Sequence, residues 1–163
     1  MWGQRMGTPM DRWLALVVFL AVVAAAASVG SVATLDAREQ YAQLEQPAWA
    51  PPGWLFGPVW TLLYAAMAVA AWRVWLRVGL RSPEMALFGA QLVVNALWSP
   101  LFFAWGLRGI ALAWIVLLDA LVAATALRFW RRDPLAGALL APYLLWVLFA
   151  TALNAAVWWL NRA

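Results

Sequence analysis

Five apolar runs, at about 13–35, 54–75, 84–105, 109–129 and 135–160, dominate this chain. A helix needs roughly 20 apolar residues to cross a bilayer, and each run is long enough. A membrane-barrel strand is about 10 residues of alternating pattern; these runs are twice that length and do not alternate. Inside lipid every backbone polar group must find an internal partner, so long apolar runs fold as helices. The predicted class is therefore an all-α membrane protein: a five-helix transmembrane bundle forming one domain over residues 1–163. Composition closes off the soluble alternative. The chain is 67% hydrophobic and 11% charged, against about 45–50% and about 25% in soluble domains. A chain of 163 residues has too little interior to hide that much apolar surface from water.

The joints between runs are legible. Residues 36–53 are polar and then proline-rich, with Pro47, Pro51 and Pro52. Residues 77–83 and 128–134 are basic, and 106–109 is a tight connection. Short joints predict that each run packs antiparallel to the next. Arg5 and Arg12 precede the first run, and Ala25-Ala26-Ala27 resembles a signal-peptide cleavage site. The run exceeds the 7–15 residues of a signal core, which predicts a retained helix. Its small residues at 24–31 suit close helix contact.

Charge orients the bundle. With the N-terminus cytoplasmic, the inner face holds Arg5, Arg12, Arg73, Arg77, Arg81, Arg128, Arg131 and Arg132, and the outer face holds Arg38, Arg108 and Arg162. The excess inside fits the positive-inside rule. The 36–53 joint then faces outward, as a stiff proline- and tryptophan-rich lid. The net charge of +4 is carried by arginines spread among loops. That distribution fits membrane topology, and no nucleic-acid partner is expected. The chain has no His and no Cys, which excludes Cys/His zinc sites, iron–sulfur clusters, disulfides and Ser–His or Cys–His nucleophile pairs. No metal site and no catalytic residue is assigned.

Fourteen tryptophans are the loudest residue signal. Trp13, Trp72, Trp75, Trp130, Trp158 and Trp159 lie near run ends, where interfacial aromatic belts form. Trp49, Trp54, Trp60, Trp98 and Trp146 lie beside prolines or in polar stripes, where a ring more naturally lines a cavity. Trp60 and Tyr64 share a helix face at i, i+4. In the third run Gln91, Asn95, Trp98 and Phe102 fall within an arc of about 60°. Amides need partners in hydrocarbon, so this stripe faces protein or a cavity, either as interhelical hydrogen-bonding or as a binding wall. Ala86, Gly89, Ala90, Val93 and Leu97 lie on the opposite side and allow close approach by a second subunit. The fifth run repeats the stripe with Tyr143, Trp146, Ala150 and Asn154. Apolar walls with a few placed polar groups describe a site for a flat, mostly apolar ligand. Asp119 stands near the middle of the fourth run, where a carboxyl is costly and marks a functional candidate.

The stretch from Tyr41 to Tyr64, the set Gln91, Asn95, Trp98, Pro100, Phe102 and Phe103, and Pro142-Tyr143-Leu144 with Trp146, Ala150-Thr151 and Leu153-Asn154 resemble the tryptophan-rich sensory protein / translocator protein family, in its bacterial-type form. The resemblance implies five helices around an apolar pocket closed by the first loop, usually in a homodimer, here through the third run. It implies binding of porphyrin or haem, of synthetic benzodiazepine-site ligands and, in animal members, of cholesterol. Carried over by motif, the pocket is lined by Trp49, Trp54, Asn95, Trp98, Trp146, Ala150 and Leu153. The animal sterol motif needs a Tyr and then a basic residue; here Ala155 and Ala156 follow Asn154, so sterol binding is not carried over.

The expected function is a multi-pass protein of a bacterial membrane that binds tetrapyrroles as sensor, scavenger or carrier. No cofactor is obligatory, and porphyrin or haem is the ligand. The ring would stack on Trp faces, and its propionates would reach Arg38, the loop backbone or helix dipoles. One alternative is a light- or oxygen-dependent porphyrin-degrading enzyme. Another is a secondary transporter with Asp119 as its coupling residue.

Overall fold

The computed structural model describes residues 9–33 and 37–162, and among these the chain is all-helical. Its elements are α1 (Pro9–Ala33), α2 (Ala37–Gln43), a 3-10 turn (Gly53–Leu55), α3 (Phe56–Val78), α4 (Pro83–Ser99) running into a π-turn (Pro100–Ala104), α5 (Arg108–Arg132) and α6 (Pro134–Leu160). Five segments built on α1, α3, α4, α5 and α6 are long and apolar enough to cross a membrane. Leu35, the predicted end of the first run, and Arg5 lie outside the described residues, as does the side chain of Arg38.

Local chemistry sets the ends. Ser82 caps α4, its Oγ accepting from Met85 N at 3.3 Å, with Pro83 in the first helical position. Asp133 alone separates α5 from α6; its Oδ1 accepts from Leu135 N at 3.0 Å and Ala136 N at 3.4 Å. That reversal needs a very close approach. A Cβ on Gly137 would lie 2.7 Å from Trp130 Cα, so no larger residue fits there. Pro100 supplies no N–H, and the helix widens around it: Trp105 N reaches back five residues to Pro100 O at 3.0 Å.

Two expectations need correction. The 36–53 joint, read as an irregular lid, contains the helix α2, because Arg38, Glu39, Gln40, Ala42 and Gln43 are good helix formers. Nor does each helix pack on the next. The spanning helices run around the bundle as α1, α3, α6, α5, α4 and back to α1, so α3 and α4 touch only at few points. The four-residue joint between them holds only their ends together; α1 packs on both and closes the ring.

Ion pairs tie one end of the bundle. Asp133 Oδ2 meets Arg73 Nη2 at 2.8 Å and Arg77 Nε at 3.2 Å, and Glu84 meets Arg132 at 2.7 Å. These join α3 to the α5–α6 corner and α4 to α5. At the opposite end the lid is clasped to the tail of α6. Glu45 N donates to Asn161 Oδ1 at 3.0 Å, and Asn161 Nδ2 donates to Glu45 O at 2.9 Å. The main core runs through Met67, Ala71, Phe88, Ile115, Phe129 and Tyr143, and a second cluster under the lid gathers Tyr41, Phe102, Ala111, Leu153 and Val157.

Candidate ligand-binding site

Beneath the lid, all five long helices enclose a cavity of about 410 Å³. Small residues of α1, Ala27, Gly30 and Ser31, form one wall. Their size gives room: a Cβ on Gly30 would stand 3.4 Å from Ser99 Oγ of α4. Helix α3 contributes Trp60, Thr61 and Tyr64, α4 contributes Asn95, Trp98 and Ser99, and α5 contributes Ile115 and Leu118. Helix α6 adds Trp146, Val147 and Ala150, and the lid side adds Tyr41 and Phe56. No charged side chain lines the cavity among the described residues. Its size falls within the usual range of small-molecule sites, roughly 300–1,000 Å³, and its lining is of the usual kind, apolar with a few placed polar groups.

Two of those polar groups, Tyr64 and Asn95, belong to a directed hydrogen-bond chain across three helices. Tyr64 Oη donates to Asn95 Oδ1 at 2.6 Å, Asn95 Nδ2 donates to Tyr143 Oη at 2.8 Å, and Tyr143 Oη donates to Gln91 Oε1 at 2.8 Å. The chain ends on Met67 Sδ, 3.9 Å from Gln91 Nε2. Both hydroxyls and one N–H of each amide in it meet an acceptor, in keeping with the demands of a low-dielectric interior. Aromatic rings surround it. Trp60 stacks on Tyr64 at 5.3 Å and meets Tyr143 edge-on at 6.2 Å, and Phe56 meets Trp146 edge-on at 5.9 Å. Burial raises the Tyr41 phenol above the ordinary tyrosine range, so it remains a donor at neutral pH.

Of the residues expected to line the pocket, Asn95, Trp98, Trp146 and Ala150 do so. Asn95 also serves the interhelical hydrogen bonds weighed as its other reading, since both ends of its amide are engaged. The Trp98 Nε1 is taken as well, donating to Asn154 Oδ1 at 3.2 Å, so Trp98 offers the cavity its ring. Trp49, Trp54 and Leu153 lie outside the cavity wall. Trp54 is 63% exposed, and Trp49 is half exposed with its ring edge-on to Phe149 at 5.7 Å. Leu153 is buried in the second cluster and does not reach the cavity wall.

Trp60, read from the sequence as a cavity ring, and Tyr64, one turn along the same face, both line it, although neither was in the set carried over by motif. Sequence reasoning missed Tyr41 and Phe56, which no periodic pattern marks. Asp119 does not line the cavity. Its Oδ2 lies 2.8 Å from Thr151 Oγ1, joining α5 to α6. Among the described residues no group of three His, Cys, Asp or Glu could hold a metal.

The pattern described as TspO/MBR family matches residues 17–160 of the chain. A translocator protein of Sus scrofa is 42% identical over 72% of this chain and 72% of its own length. A tryptophan-rich sensory protein of Cereibacter sphaeroides is 40% identical over 87% of this chain and 88% of its own. A tryptophan-rich protein TspO of Archaeoglobus fulgidus is 39% identical over 91% and 97% respectively.

Proposed function

From the premise that this chain belongs to the TspO/MBR family and is an integral membrane protein, we propose that it binds porphyrin or haem as a membrane sensor, scavenger or carrier. The observation that carries this reading is the cavity under the lid, lined by no charged side chain among the described residues and walled by the rings of Trp60, Trp98 and Trp146. A flat macrocycle gains there from stacking and from aliphatic packing on Ile115, Leu118 and Val147. The word "sensory" in the name of the Cereibacter relative supports the same reading. Iron is not needed, because the chain has no His or Cys to hold it axially.

The orientation and assembly belong to this proposal. The end bearing Arg73, Arg77, Arg128, Arg131 and Arg132 is cytoplasmic and the lid faces outward. A homodimer forms through α4, whose Val93 and Leu97 stand exposed beside the small residues Ala86 and Ala90.

The test is a titration of the purified full chain with protoporphyrin IX in darkness, followed by absorbance and tryptophan fluorescence, and then repeated under light. Saturable binding and Trp quenching with no new chromophore supports a binder. A bilin-like band that grows with turnover under light moves the chain to the porphyrin-degrading class.

A further inference from the structure

The lid helix carries a hydrogen-bond donor with no acceptor among the described residues. Tyr41 is 7% exposed and lines the cavity. Its backbone is held firmly, the carbonyl accepting from Leu44 N at 3.2 Å and Gln46 Nε2 at 2.5 Å. Its ring meets Phe56 edge-on at 5.8 Å. Its hydroxyl, however, is enclosed and bonds to nothing among the described residues. Tyr41 belongs to the apolar cluster under the lid, with Phe102, Leu153 and Val157, whose side chains carry no acceptor. An enclosed, unpaired hydroxyl is costly, and natural proteins rarely keep one without a use.

A second donor shares the condition. Trp146 also meets Phe56 edge-on, lines the same cavity, and has a buried Nε1 with no partner among the described residues. By contrast, the donors deeper in the cavity, on Tyr64, Asn95 and Tyr143, are all satisfied. Unmet donors therefore sit at the lid end, around Phe56.

Resting on the tetrapyrrole reading of this cavity, we infer that Tyr41 contacts the ligand by donating its hydroxyl to an acceptor oxygen. The ligand class is then a large apolar molecule with a carbonyl or carboxyl oxygen at the end beneath the lid. An unsubstituted hydrocarbon of the same shape would leave the lid's donor unpaired and bind less well.

The experiment compares three porphyrins on the full chain in one detergent. Protoporphyrin IX has carboxyl groups, its dimethyl ester keeps the carbonyl oxygens without charge, and octaethylporphyrin has neither. The expected result is that Tyr41→Phe weakens the first two by about tenfold, equivalent to about 1.4 kcal/mol, and changes the third by less than about twofold. The ligand-free melting temperature should hold or rise, since the variant removes an unsatisfied buried group. A second readout needs no variant: the ester C=O infrared band of the bound dimethyl ester should move to lower wavenumber. An unshifted band, an equal loss for all three porphyrins, or no loss for any of them overturns the inference. A ligand-free protein destabilised by Tyr41→Phe does so as well, because the hydroxyl then has a structural partner. Failure of all three porphyrins to bind overturns the tetrapyrrole reading and this inference with it; tight, equal binding of all three overturns this inference alone.

Discussion

The Tyr64 hydroxyl donates to Asn95 Oδ1 over 2.6 Å, joining α3 to α4 across the interior although the two helices pack against each other only at few points. Asn95 passes the connection to Tyr143 of α6 at 2.8 Å. One amide thus holds three helices around the cavity floor.

Asn95→Ala should therefore cost more than a typical membrane hydrogen bond. Such bonds average about 0.6 kcal/mol each, and this change removes two, leaving the Tyr64 hydroxyl without its acceptor while Tyr143 keeps Gln91. Reversible unfolding in mixed micelles should show a loss of about 1 kcal/mol or more. A Tyr64→Phe/Asn95→Ala cycle should be non-additive, since the two share one bond. Strict additivity would mean the bond contributes nothing.

The α5–α6 corner makes a sharper prediction. Gly137→Ala places a methyl 2.7 Å from Trp130 Cα and 2.8 Å from its backbone nitrogen. Backbone cannot move aside as a flexible side chain can, so overpacking of about 1–3 kcal/mol is expected. Thermal unfolding of the variant reads it; an unchanged midpoint would mean that the corner relaxes freely.

At the same corner, acid should loosen the bundle. Burial alone would raise the Asp133 carboxyl, but the Ala136 N–H and the guanidinium groups of Arg73 and Arg77 outweigh it and hold the carboxyl below the ordinary aspartate range. A depressed value means that the folded state favours the ionised form. The stabilisation is thus fully present above the unfolded value of about 3.9 and is lost as pH falls through the folded one. Melting curves from pH 7 down to pH 3 should show this loss in the wild type. Asp133→Asn should be less stable at pH 7 and have a flatter acid limb. Parallel curves would show that Asp133 does not titrate with folding.

Ala150 sets the width of the cavity on the α6 side and is 6% exposed. Ala150→Thr adds a branch and a hydroxyl to a packed wall, at a cost of about 1–3 kcal/mol divided between fold and ligand. Porphyrin affinity should fall, with a melting curve separating the two effects. Wild-type affinity and wild-type melting together would place Ala150 off the ligand's path.

Much of this fold is legible in the sequence because the bilayer fixes helix length. The runs ending near Trp75, Phe129 and Leu160 need only roughly 20 apolar residues to declare themselves. The order around the ring is not legible, since the α1–α4 and α3–α6 contacts join segments that no short joint connects. The site divides in the same way. Asn95, Trp98, Trp146 and Ala150 lie on regular helices, where a 100° step predicts which residues share a face. Trp49 lies on irregular backbone and Trp54 in a three-residue turn, both too short of regular structure for periodicity to give a direction, and both are exposed. Tyr41 sits in a polar stretch that reads as loop, and its role depends on what is missing around its hydroxyl, which only coordinates reveal.

The most direct test of the account is the dark dissociation constant of the full chain for protoporphyrin IX measured beside that for haem. Recognition through ring contacts in a cavity without His or Cys predicts saturable binding of both, with affinities within about tenfold, or about 1.4 kcal/mol. A preference for haem of about a hundredfold, or no saturable binding of either, would contradict it.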